Sequence, residues 1–226
     1  MRIKICGITN QKDAEDATEA GADYLGFILY PPSPRSITAE DARSITDNLR
    51  LRYGDDCPFF VGVFVNETVA SIAQKMATAR LDLAQLSGDE SAHVFTELQG
   101  RAYKAIQPRT ADEAIDDIQF FAPLGPPQDY HPEILVDGYH PHLRGGTGEI
   151  TDSFIAHKAR EHSQRMMLAG GLNPDNIADH IRDIQPFAVD VASGVEAEKG
   201  IKDHDKVRAF IANARAAAQE VEENKS

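Results

Sequence analysis

The chain has 226 residues, of which 42% are hydrophobic and 26% charged, with a formal net charge of −13 and an isoelectric point near 5.0. An acidic surface with no offsetting basic run excludes an electrostatic hold on nucleic acid or on an anionic membrane. No run of about 18 apolar residues is present, and residues 1–7 lack the apolar core and cleavage site of a signal peptide, so a soluble, cytoplasmic protein is expected.

Residues 2–6 read as a short β-branched strand and 12–20 as the helix that follows it. The pair then repeats: strand 24–29 with helix 39–48, strand 59–65 with helix 68–79, strand 81–86 with helix 90–98, and strand 101–106 with helix 111–118. An irregular proline-bearing connection, 121–130, leads to strand 133–136 and helix 152–162; strand 165–168 precedes helix 174–183, and strand 188–191 precedes helix 204–222. Thr38 and Asn66 stand at N-cap positions and Pro174 in a first helical turn. Strands alternating with helices pair in parallel through crossovers, and eight such units close into an α/β architecture, a single (β/α)8 TIM barrel over residues 1–226, with a charged tail at 221–226 that frays. A doubly wound open sheet is the alternative, but Cys6-Gly7-Ile8-Thr9 after the first strand is not a dinucleotide-binding turn.

A parallel barrel carries its active site at the C-terminal ends of its strands, so the strand ends become a set of candidates. They are Cys6, Arg35 on the loop after the second strand, Asn66, Gln85 and Ser87, Lys104, Asp137, the pair Gly170-Gly171, and Asp190 with Ser193 and Gly194. The glycine loops after the seventh and eighth strands place backbone N–H groups where an anion can approach, and this is the usual phosphate site of such barrels; the same glycines would also serve a tight turn alone. A third cluster, Gly145-Gly146-Thr147-Gly148, reads as a loop able to close over substrate, or as a plain connection. Asp137 ends the apolar run Ile134-Leu135-Val136, which suits a partly desolvated general acid as well as a loop hydrogen bond. Cys6 is a general base if positive charge favours its thiolate, and otherwise a small buried hydrophobe. Arg35, in Pro32-Ser33-Pro34-Arg35, is able to hold a carboxylate bidentately. The other cysteine, Cys57, precedes the third strand and belongs to the opposite face of the barrel. No disulfide is expected in the cytoplasm, and His140 and His142, two apart, are thin grounds for a metal.

This set resembles the phosphoribosylanthranilate isomerase family from end to end. Lys4-Ile5-Cys6-Gly7-Ile8-Thr9 is similar to the family's opening signature. Gly26-Phe27 with Ser33-Pro34-Arg35-Ser36, Val61 to Asn66, Gln85-Leu86, Lys104-Ala105, Leu135-Val136-Asp137, Gly145 to Gly148, Leu168 to Pro174, Val189 to Val191, Gly194-Val195-Glu196 and Gly200 to Asp203 follow in order. The resemblance implies an Amadori rearrangement of N-(5-phosphoribosyl)anthranilate to 1-(2-carboxyphenylamino)-1-deoxyribulose 5-phosphate, with no cofactor and no metal. It implies Asp137 as acid, Cys6 as base, Arg35 on the anthranilate carboxylate, Gln85, Lys104, Gly145 and Gly146 in substrate binding, and Gly170, Gly171, Asp190, Ser193 and Gly194 around the phosphate. Two departures stand out: Ser87 occupies a position where the family usually has histidine, and the chain has no tryptophan. The alternatives are the related barrel isomerase of histidine biosynthesis and a non-catalytic phosphosugar-binding barrel; monomer and homodimer both remain open.

Overall fold

Residues with period-2 alternation can bury both faces of a sheet only if something fills the inside and helices cover the outside, and the chain does both. A computed structural model describes residues 1–138 and 152–225. Its strands are β1 (Arg2–Cys6), β2 (Tyr24–Ile28), β3 (Phe59–Phe64), β4 (Leu83–Leu86), β5 (Ala102–Ile106), β6 (Ile134–Val136), β7 (Met166–Leu168) and β8 (Ala188–Val191). All eight pair in parallel and in order, and β8 closes on β1 from Arg2↔Ala188 to Ile5↔Val191, giving the expected closed barrel. The helices are α1 (Gln11–Glu19), α2 (Ala39–Tyr53), α3 (Val69–Thr78), α4 (Ala92–Glu97), α5 (Ala111–Phe121), α6 (Ser153–His162), α7 (Ile177–Ile184) and α8 (His204–Glu223). A small antiparallel pair, β9 (Glu196–Glu198) and β10 (Ile201–Lys202), follows β8. Among the described residues no helix is long and apolar enough to cross a membrane.

Outward residues such as Ile3, Ile5, Phe27, Phe60 and Phe64 pack with the helices into one cluster. Inward residues Tyr24, Val61, Leu83, Tyr103, Leu135 and Met167 form a second cluster that fills the barrel. The interior is therefore a packed core, and only its upper end has room for polar chemistry.

Several expected boundaries move, for local reasons. Thr38 caps α2 as expected, accepting from Asp41 N at 3.0 Å. Asn66 does not cap α3: that role falls to Thr68, while Asn66 takes a positive φ of 54° and its Oδ1 accepts from Asp89 N at 2.6 Å. Pro174 lies outside α7, because Asn173 Oδ1 accepts from Asp175 N and Asn176 N and winds a side-chain turn before the helix begins. Helix α2 runs past residue 48 to Tyr53 because Ala42, Ile45 and Leu49 continue one buried stripe. The tail expected to fray from 221 is helical to Glu223. The Arg165 guanidinium straps the 121–130 connection to the barrel floor, donating to the carbonyls of Pro126 and His131 at 2.9 Å each.

Candidate active site

The C-terminal mouth of the barrel holds two adjoining cavities. One, of about 80 Å³, is lined by Cys6, Arg35, Gln85, Ser87, Leu135, Asp137 and Asp190, among others. The second, of about 40 Å³, is lined by Gly170, Gly171, Leu172, Ser193 and Gly194. Asp137, Asp190 and Ala192 belong to both walls. A larger open groove of about 750 Å³ runs over the outer surface beside α2 and α3, but its one lysine, Lys75, is already paired with Glu67 at 2.7 Å. The mouth is the chemically equipped of the two.

Asp137 follows β6 directly and is buried. It accepts from Gly138 N at 2.9 Å and from Gln107 Nε2 at 3.3 Å. Burial, reinforced by the charge of Asp190, raises its carboxyl to about 6 in spite of those hydrogen bonds. Cys6 ends β1 on the inner face. Burial pushes its thiol up, while the Lys4 ammonium pulls it down. Lys4, two residues earlier on the same face, is wholly buried and donates to Gln85 Oε1 at 2.8 Å and Asp190 Oδ1 at 3.1 Å. Burial works against its charge, yet Asp190, Cys6 and Tyr103 hold the ammonium above the ordinary lysine range. Gln85 also accepts from Tyr103 OH at 3.1 Å and turns its amide nitrogen to Ser87 Oγ at 3.2 Å.

Arg35 reaches the cavity wall, but the carboxylate it holds bidentately is the chain's own Glu196, at 2.7 Å through Nε and 2.9 Å through Nη2. Burial opposes the charge of Glu196, but Arg35 and Lys202 together keep its carboxyl below the usual range. Lys202 in turn donates to Ala192 O at 2.9 Å.

Two of the sequence assignments need correction. Lys104 sits out of phase with the inward pair Tyr103 and Ala105, so it faces the layer between sheet and helices. There its ammonium holds Glu90 at 2.9 Å and the Gly88 carbonyl, away from both cavities. Asp190 lines the mouth, but a carboxylate offers a phosphate no donor, and its Oδ1 is committed to Lys4. Gly145 and Gly146, with His140 and His142, lie outside the described residues.

The glycine loops carry distinct constraints. Gly170 and Gly171 have φ of 91° and 61°, the left-handed region where a side chain is strained. Their N–H groups have no acceptor among the described residues. Gly194 is needed for a different reason: a Cβ there would lie 1.9 Å from the Leu172 carbonyl oxygen, so its bare backbone lets the eighth loop close against the seventh.

Sequence reasoning overlooked Lys4, Gln107, Glu196 and Lys202 as members of the site. Lys4 carried a signal, a lone charge inside the apolar run Ile3-Lys4-Ile5 on the same strand face as Cys6. Gln107 continues the inward parity of Tyr103 and Ala105 one step past β5. Glu196 and Lys202 stand in motif blocks of the resemblance, but nothing local ties them to the site, since the Arg35 that joins them to it lies 161 residues from Glu196.

The family model described as N-(5'-phosphoribosyl)anthranilate (PRA) isomerase matches residues 3–213. An N-(5'-phosphoribosyl)anthranilate isomerase from Trichlorobacter lovleyi is 43% identical over 219 residues, covering 96% of this chain and 99% of its own. The crystal structure of phosphoribosyl anthranilate isomerase from Thermotoga maritima superposes with a TM-score of 0.82 at 37% identity, covering 96% of this chain and 99% of that one. A phosphoribosyl anthranilate isomerase in complex with reduced 1-(o-carboxyphenylamino)-1-deoxyribulose 5-phosphate gives a TM-score of 0.79 at 36% identity, with the same coverage.

Proposed function

The chain belongs to the N-(5'-phosphoribosyl)anthranilate isomerase family, and on that premise we propose that it catalyses the Amadori rearrangement of N-(5'-phosphoribosyl)anthranilate in tryptophan biosynthesis, with Asp137 as general acid and Cys6 as general base. The observation that carries this reading is the pairing of a carboxyl raised to about 6 with a thiol on the wall of one cavity. Asp137 gives its proton to the furanose ring oxygen as the C1'–O bond breaks, and the nitrogen lone pair forms the Schiff base. Cys6 removes the proton from C2', the electrons flow into the iminium, and the enolamine tautomerises to the ketone. Asp137 ends as carboxylate and Cys6 as thiol, so the enzyme resets by one proton shift between them.

The phosphate is assigned to the smaller cavity, where the Gly170 and Gly171 amides and the turn at Ser193–Gly194 offer backbone N–H groups to an anion, on a wall shared with the carboxylates of Asp137 and Asp190. Gln85 lines the sugar side, and Arg35 meets the anthranilate carboxylate with the guanidinium edge that Glu196 does not engage. Cys6 at the base position, where an aspartate serves the histidine-biosynthesis isomerase, favours the single-phosphate substrate. Two free cysteines and the biosynthetic family fit a cytoplasmic setting. The test is a steady-state assay on enzymatically generated substrate, followed by the fluorescence change of the anthranilate group. Turnover in the wild type that is lost in Asp137→Asn and Cys6→Ser is the expected result, and full activity in either variant removes that residue from its role.

A further inference from the structure

We propose that Lys4 and Asp190 are positioning residues for the two proton-transferring groups: a buried ion pair at the mouth of the barrel sets positive charge beside the Cys6 thiol and negative charge beside the Asp137 carboxyl. The proposal rests on the reading of Cys6 as base and Asp137 as acid.

An ion pair in this place needs a reason. The barrel interior is otherwise filled by residues such as Leu83, Leu135 and Met167, and buried ion pairs are often replaceable by apolar residues at no loss of stability. Lys4 is nonetheless wholly enclosed, and the Lys4 Nζ–Asp190 Oδ1 contact of 3.1 Å is oriented by Gln85, itself fixed by Tyr103. The neighbouring strand leaves the space above it clear. Gly26 pairs with Cys6, and a Cβ on Gly26 would lie 2.7 Å from Cys6 Sγ and 3.1 Å from Lys4 Cε. The lysine stem and the thiol therefore share the room that a side chain on β2 would fill. On the other side, Asp190 and Asp137 line the same two cavities.

Among the described residues, the charged and titratable groups facing Cys6 are Lys4, Asp190, Lys202 and Tyr103, with Arg35 and Asp137 on the wall of the same cavity. Among the described residues, those facing Asp137 are Asp190 and Lys4, with hydrogen bonds from Gln107 and Gly138. The strongest charge on each is the one its role needs: Lys4 favours the thiolate and Asp190 favours the carboxylic acid. Turnover leaves the opposite arrangement, thiol and carboxylate. The field of the pair favours the return of that proton from Cys6 to Asp137 at both ends of its path.

The experiment uses the full chain in a Cys57→Ser background, so that one thiol remains. The double variant Lys4→Gln/Asp190→Asn removes both charges, keeps hydrogen-bonding groups and leaves no lone buried charge. Iodoacetamide alkylation of Cys6, mapped by mass spectrometry across pH, reports the thiol, and the pH profile of kcat/KM reports the acid. In the double variant the alkylation midpoint moves up, the rate at neutral pH falls by about tenfold, and the Asp137 limb moves down. Asp190→Asn alone, in which Lys4 keeps its bond to Gln85, moves both midpoints down and serves if the double variant does not fold. Midpoints unchanged from the background in a folded variant overturn the proposal and leave the pair a structural one. Full activity in Cys6→Ser would instead break the assignment of the base, while the alkylation midpoints would still report the field of the pair.

Discussion

The floor and the mouth of this barrel are built on the same eight strands and bury opposite kinds of residue. At the floor, Tyr24, Phe59, Tyr130 and His131 close the barrel with ring contacts, His131 lying 4.6 Å from Phe59 and 4.5 Å from Tyr130 between centroids. Tyr24 OH donates to the Tyr130 carbonyl at 2.6 Å. At the mouth stand Lys4, Asp190, Asp137 and Cys6. Burial acts at both ends against the charged form. It holds His131 down to about 4, as a neutral ring that packs. It lifts Asp137 to about 6, as a carboxyl able to donate. On the proposed mechanism, one physical cause leaves the floor inert and arms the mouth, because the neutral form is a filler in one place and the proposed proton source in the other.

The comparison breaks most visibly at Asp137. Asp137→Asn should lower kcat by about 10²–10⁴-fold, the usual scale for a lost general acid, in the fluorescence assay and without loss of the folded state in a thermal melt. Gly194→Val comes next. Its Cβ would collide with the Leu172 carbonyl, so the two loops must part, and KM for substrate should rise by about a hundredfold. A normal KM would place the phosphate elsewhere.

Acid titration sharpens the contrast because the two ends carry opposite signs. His131 has a folded value near 4, below its ordinary 6.5, so the unfolded chain binds more protons and stability is lost as pH falls through that window. Asp137 has a folded value near 6, above its ordinary 3.8, so the fold binds more protons and stability is gained as pH falls from 6 towards 3.8. Denaturant melts should show Asp137→Asn more stable than wild type at neutral pH by up to about 3 kcal/mol, with the advantage gone near pH 4. His131→Phe should flatten the acid-side loss by about 2 kcal/mol, a figure reduced for screening by solvent at the floor. Parallel curves for the two variants would contradict both assignments.

Smaller changes test the same division. Tyr24→Phe at the floor should cost about 1 kcal/mol in denaturant unfolding, for one hydrogen bond, with kcat unchanged. Ser87→His at the mouth should alter kcat/KM by less than about tenfold, since Ser87 serves as an acceptor for Gln85 rather than as a proton carrier. A gain of several orders of magnitude would show that the missing histidine had crippled the site.

Much of the site was legible before the structure. Cys6, Asp137, Gln85 and the Gly170-Gly171 turn reached the mouth because strand ends in a parallel barrel point there whatever the details of packing. Lys104 went astray on a parity argument available from Tyr103 and Ala105, and Asp190 on a chemistry argument, an acceptor placed beside an anion. Arg35 was seen as a carboxylate holder, but the Glu196 that fills its fork is 161 residues away and nothing in the local pattern announces it.

Local order along the chain was enough to establish strand, helix and barrel, because periods of 2 and 3.6 are properties of neighbouring residues and recur eight times. Closure decided the rest. The Lys4–Asp190 pair joins residues 186 apart, and it forms only when β8 meets β1 and both side chains fall on the inner face. The charge that Cys6 and Asp137 feel comes from such pairs, at distances set by tertiary packing in a region that water does not screen.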